Sequence, residues 1–157
     1  VNELRRFSKK LINNKIWEFP MPQLSGHCLC GKVSYSADAE PVMTVACHCE
    51  HCQRQTGTSF SIIVGIPDEA LTFGNDETLK TYNDTGESGH SVHRRFCSNC
   101  GSPIVTNVDT VPGLTFIKAG TLNDKSWLQP ASHIWCDSAQ SWLDLGVEIP
   151  RFGRNPG

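Results

Sequence analysis

Seven of the eight cysteines in this 157-residue chain fall in three tight clusters: Cys28-Leu29-Cys30-Gly31, Cys47-His48-Cys49-Glu50-His51-Cys52 and Cys97-Ser98-Asn99-Cys100-Gly101. Thiolates one or two residues apart can converge on a single soft cation, because Zn²⁺ prefers four sulfur or nitrogen ligands in a tetrahedron. A CxC pair and a CxxC pair together supply one complete four-thiolate site, from Cys28, Cys30, Cys97 and Cys100. Cys47, Cys49 and Cys52 then form a three-thiolate site whose fourth position has to be filled from elsewhere. Two zinc ions per chain are therefore expected. A closed site builds structure, whereas an open one can do chemistry.

A disulfide framework is the competing use of so many cysteines. The spacing argues against it, since residues i and i+2 of a strand point to one face, which suits two ligands of one ion but gives poor geometry for a bond between them. No charged-apolar-cleavage pattern of an export signal is present, so a reducing, cytoplasmic setting is expected. A formal net charge of −2 offers no broad basic field, which disfavours nucleic acid and anionic membranes as partners. The apolar runs, such as Ile62-Ile63-Val64, are far short of a bilayer span.

The length suits one domain, and the pattern divides near residue 22. From Asn2 to Lys15 the residues Leu4, Phe7, Leu11 and Ile12 share a helical face, so residues 1–22 are expected to be a helical extension packed on its own domain or on a symmetry mate in a homo-oligomer. Residues 23–157 read as a single mainly β domain of short strands. Lys32–Ala37, Phe60–Ile66, Leu79–Tyr82, Ser91–Phe96 and Leu114–Lys118 carry strand patterns. Turns are signalled at Gly74-Asn75-Asp76, Asn83-Asp84-Thr85-Gly86 and Pro112-Gly113, with a brief helical turn around Gln53–Gly57.

Gly31 and Gly101 each follow a cysteine pair and permit the positive φ that turns backbone amides toward sulfur. The triad Cys47, Cys49 and Cys52 admits two readings. Water or an external thiol completes it, or the chain closes it through Cys136, His48, His51 or His27. Cys136, between Trp135 and Asp137, is most simply a small buried hydrophobe, since nothing about its spacing demands coordination.

The runs G-H-C-L-C-G-K-V-S-Y at Gly26–Tyr35, C-H-C-E-H-C-Q-R-Q-T-G-T-S-F at Cys47–Phe60 and R-F-C-S-N-C-G-S-P-I at Arg95–Ile104 resemble the glutathione-dependent formaldehyde-activating enzyme family. A-G-T-L-N-D at Ala119–Asp124 and P-A-S-H-I-W at Pro130–Trp135 resemble its later motifs. The resemblance implies a β-tent zinc fold of short antiparallel strands. It also implies a structural zinc on Cys28, Cys30, Cys97 and Cys100, and a catalytic one on Cys47, Cys49 and Cys52. There glutathione or a related small thiol would add to an aldehyde, forming S-hydroxymethylglutathione from formaldehyde, formally a carbon–sulfur lyase reaction in reverse. Arg54 and Arg95, with Arg94 and Lys118, are the cations available to hold the carboxylates of the tripeptide. No general acid stands out. A glutathione carrier without turnover, or a structural zinc module that binds proteins, would use the same cysteines.

Overall fold

The computed structural model describes residues 7–12, 15–20, 23–146 and 148–156, with side chains from residue 23 onward. Two strands come first, β1 (Phe7–Ile12) and β2 (Lys15–Pro20), paired antiparallel with Ile12 opposite Lys15. This corrects the helix expected over Asn2–Lys15 for every part of it that is described. A stripe of four apolar residues cannot by itself separate the two periods. The residues that follow, with Ile16, Trp17 and Phe19, are rich in types that favour a pleated strand.

Two further sheets make the domain. Three strands, β3 (Leu24–His27), β4 (Ser34–Ala37) and β7 (Leu71–Asn75), form one sheet in the order β3-β4-β7. The larger sheet contains β5 (Met43–Cys47), β6 (Ser61–Pro67), β8 (Leu79–Thr85), β9 (Ser91–Cys97), β10 (Pro103–Val108), β11 (Leu114–Lys118) and β12 (Ser132–Ile134). Its order is β12-β5-β6-β11-β10-β9-β8, antiparallel throughout except for the parallel β12–β5 pair. The one α-helix among the described residues, α1 (Glu50–Thr56), follows β5 and confirms the helical turn expected near Gln53.

The mainly β expectation therefore holds. Strand β8 runs through Asn83-Asp84-Thr85, where the sequence suggests a turn, and β7 takes in Gly74-Asn75. Both are edge strands. Their exposed polar residues hide the alternation that marks a half-buried strand.

The central strands of the large sheet are covered on both faces, which explains the unbroken apolar run of β6. Val64 and Ile66 join Val105, Ile117 and Ile104 in a core shared with Leu24, Tyr35 and Ala37 of the small sheet. Burial of each such aliphatic side chain contributes about 1.5–3 kcal/mol. The opposite face carries Met43, Val45 and Cys47 on β5, Ile63 and Gly65 on β6, and Phe116 and Lys118 on β11. It continues with Thr106 and Val108 on β10, and Val92 and Arg94 on β9. Their registers place Val45 opposite Ile63, Ile63 opposite Lys118, Gly65 opposite Phe116, Phe116 opposite Thr106 and Thr106 opposite Arg94. That second face is where the candidate site lies.

Candidate metal centres and the adjoining cavity

Cys28, Cys30, Cys97 and Cys100 converge with all four sulfurs within 4.8 Å of one another. Two separations are 3.5 Å (Cys28–Cys30) and 3.8 Å (Cys30–Cys97). A tetrahedron with Zn–S bonds near 2.3 Å requires sulfurs about 3.8 Å apart, so the donor set fits a zinc ion. Two tight loops produce the convergence. Gly31 at φ 76° sends its N–H to the Cys28 carbonyl, and Gly101 at φ 77° sends its N–H to the Cys97 carbonyl. The Val33 amide donates to Cys28 Sγ (3.3 Å), and the hydroxyls of Thr78 and Ser102 lie 3.2 and 3.3 Å from Cys97 and Cys100. The Ser102 hydrogen bond is the main cause holding the Cys100 thiol down to about 5. These donors favour thiolates, the form in which sulfur binds metal. The Leu29 amide also donates to Ser102 Oγ (3.0 Å), so polar contacts reinforce the clip between the two loops.

Cys47, Cys49 and Cys52 also bring their sulfurs within 4.8 Å of one another, and all three are buried. Strand β5 ends on Cys47. Cys49 is the N-cap of α1, its sulfur accepting from the Cys52 amide at 3.3 Å, and Cys52 sits in the first turn. Gly57 ends the helix in the left-handed region (φ 66°). Strand end, cap and first turn thus supply one thiol each.

Among the described residues, no His, Cys, Asp or Glu joins this triad as a fourth ligand. The His48 ring is fully buried and bonds His133 (Nε2–Nδ1 2.8 Å). His51 bonds Asp84 (2.8 Å), and His27 bonds its neighbour's carbonyl. Cys136 begins a short 3₁₀ turn and is half-buried. Of the two sequence readings, the donors favour the one in which the triad is left open.

Two cations lie against the triad. Lys118 is only 4% exposed and donates to Ser61 Oγ (3.3 Å). Burial pushes its ammonium below the ordinary range, while the Cys52 sulfur opposes that shift. Arg94 is also buried, with Nε donating to Asp84 (2.7 Å) and Nη1 to Gln55 (3.1 Å). Hydrogen bonds from the Cys47 and Cys49 thiols, then the charges of Lys118 and Arg94, hold Cys52 well below the usual thiol range against the effect of burial. The two cations thus favour a thiolate in this cluster.

The triad opens on a cavity of about 410 Å³ whose walls include Lys118, Arg94, Thr106, Met43, Phe116 and Trp135. The Thr106 hydroxyl is buried there with no hydrogen-bond partner. Trp135 is the one non-glycine residue at positive φ (58°) among those described. Its indole N–H donates to Asn155 (2.7 Å) and Arg154 lies over its ring at 5.1 Å, so the segment around 152–155 holds a strained residue as a cavity wall.

Of the four cations named from the sequence, Lys118 and Arg94 line this cavity and Arg54 and Arg95 do not. Arg95, one residue along β9 and so on the other face, stacks on Phe73 (4.7 Å). Arg54 projects from α1 with 80% of its side chain exposed and pairs with Glu50. Thr106, Phe116, Met43 and Trp135 carried no sequence signal as site residues. Their place follows from strand parity and register, which need the pairing to be known.

The model of the family described as glutathione-dependent formaldehyde-activating enzyme matches residues 23–138. Two curated fungal relatives carry that family's name. The chain is 26% identical over 115 residues to one from Talaromyces marneffei, covering 71% of this chain and 60% of the relative. It is 27% identical over 128 residues to one from Phaeosphaeria nodorum, covering 76% and 65%. This chain therefore spans rather less than two thirds of their length. A crystal structure of a Rhodobacter sphaeroides protein shares the fold, with a TM-score of 0.54 at 21% identity over 81% of this chain and 98% of that one.

Proposed function

The chain belongs to the glutathione-dependent formaldehyde-activating enzyme family, and on that premise we propose that it binds glutathione or a related thiol at Cys47, Cys49 and Cys52 and promotes its addition to an aldehyde. The observation that carries this reading is the incomplete donor set: three converging thiols, no fourth ligand among the described residues, and a cavity at the open side. Zinc held by the triad would keep a fourth thiol in its thiolate form at neutral pH, and the same metal on Cys28, Cys30, Cys97 and Cys100 would act as a structural clip.

The chain's own residues supply the rest. Three thiolates and one divalent cation sum to −1. Arg94 is matched by Asp84, so among the described residues Lys118 is the unmatched positive charge beside them. A further anionic sulfur is accommodated there because Lys118 offsets it in a region screened from water. Lys118 also offers N–H donors beside the cavity, where the carbonyl oxygen gains negative charge as sulfur attacks carbon. In the reaction a C–S bond forms, the C=O π pair moves to oxygen, and the proton lost by the thiol ends on that oxygen.

The test is turnover of formaldehyde with glutathione, measured against the uncatalysed rate on protein of known zinc content. Acceleration that disappears in Cys49→Ser supports the reading. Tight glutathione binding without acceleration would leave a carrier.

A further inference from the structure

The cavity beside the triad is mostly hydrocarbon. On the sheet face that forms its floor, Met43, Val45, Ile63, Phe116, Val92 and Val108 surround the polar pair Lys118 and Thr106. The packing is close: a Cβ on Gly65 would lie 2.8 Å from Met43 Cγ and 3.2 Å from Phe116 Cε1, so those two side chains close over a residue that has to be glycine. Formaldehyde is not much larger than a water molecule, whose share of liquid volume is about 30 Å³. It leaves most of a cavity of about 410 Å³ unfilled. The charged ends of glutathione fill it poorly as well. They lose hydration against apolar walls, Arg94 is already bonded to Asp84 and Gln55, and Glu87 on the rim repels carboxylates.

We propose that this cavity receives the hydrocarbon substituent of an aldehyde larger than formaldehyde, so that the favoured product is the hemithioacetal of an apolar aldehyde. The proposal rests on the thiol-addition reading above and names its substrate class. The atom balance is that of the parent reaction: the thiol proton is transferred to the former carbonyl oxygen, and nothing is oxidised or reduced. The polar ends of the thiol stay toward the rim, and the alkyl or aryl group of the aldehyde lies on Met43, Val45, Ile63 and Phe116.

Two series test this. In calorimetry with the zinc-replete protein, S-methyl-, S-propyl- and S-hexylglutathione should bind progressively more tightly. Each fully buried methylene adds up to about fourfold, and S-hexylglutathione should exceed S-methylglutathione by at least about tenfold. Met43→Gln and Val45→Thr, near-isosteric and polar, should each reduce S-hexyl affinity more than S-methyl affinity. If one fails to fold, the other and the wild-type series still decide. A flat wild-type series overturns the proposal. In turnover with glutathione, kcat/KM should rise from formaldehyde through butanal to hexanal. If formaldehyde turns over and the longer aldehydes are no better, the apolar subsite is wrong and thiol addition stands. If no aldehyde is accelerated while the S-alkyl series persists, thiol addition is wrong and the apolar subsite stands.

Discussion

Cys30 and Cys97 are 67 positions apart, while Cys47, Cys49 and Cys52 lie within six residues, and the difference shows what each cluster does for the molecule. Joining Cys28 and Cys30 to Cys97 and Cys100 closes a long loop, so an ion there acts as a cross-link between the small sheet and the large one. The second cluster is already gathered by the end of β5 and the first turn of α1, and an ion there would close almost no loop. Its surroundings differ as well. The first set meets neutral hydroxyls and amides, whereas the second meets two buried cations and an apolar cavity. One arrangement suits holding a fold and the other suits holding a ligand.

The largest expected effect breaks that contrast directly. Cys97→Ser should destabilise the protein by about 4 kcal/mol or more, in the range of a lost structural metal, and Cys49→Ser by less than about 2 kcal/mol. Elemental analysis should find about two zinc ions in the wild type and one in Cys49→Ser. Equal melting losses for the two variants would remove the division.

Lys118→Met is next. Loss of the unmatched buried cation should weaken glutathione binding by about tenfold or more. Melting should change little or improve, because a buried ammonium is itself unfavourable. A variant that melts far lower but binds glutathione normally would make Lys118 a structural residue.

Asp84 gives a smaller effect with a defined pH signature. Burial works to raise its pKa, but hydrogen bonds from His51 and Arg94 prevail and hold it below the ordinary carboxylate value. A group depressed in the folded state contributes stability that is fully present above its unfolded pKa, about 3.9, and lost as pH falls through the lower folded value. Asp84→Asn should therefore lower stability by about 1–3 kcal/mol at pH 7 and leave a shallower acid limb below pH 4, read by urea melts at several pH values. Identical acid limbs would contradict the role given to the His51–Asp84–Arg94 group.

The smallest effect belongs to Arg54. Exposed and paired only along its own helix, it should change glutathione affinity by no more than about twofold when replaced by Ala. A tenfold loss would place the peptide carboxylates on α1 and not at the cavity rim.

The cysteines made both donor sets legible in the sequence, because coordination number and spacing are local arithmetic. The mainly β character was legible for the same reason, with β6, β9 and β11 carrying short-range patterns. The hairpin at Phe7–Pro20 was not, since four apolar residues satisfy a helical stripe while the pairing that decides lies in the next segment. That Arg94 and Lys118 line the cavity while Arg54 and Arg95 do not was not legible either. Adjacent strand residues point to opposite faces, so which of Arg94 and Arg95 meets the cavity depends on the register of β9 with β10. Thr106 and Phe116 enter the site through that same register.

The central claim is that the triad is an open site for a thiolate. It is tested most directly by calorimetry of glutathione binding near neutral pH, in two buffers of different ionisation enthalpy, on protein with both zinc ions in place. Glutathione should bind with release of about one proton, because a thiol that becomes a ligand gives up its hydrogen. S-methylglutathione should release none. Tight glutathione binding with no proton released would contradict zinc–thiolate chemistry at Cys47, Cys49 and Cys52.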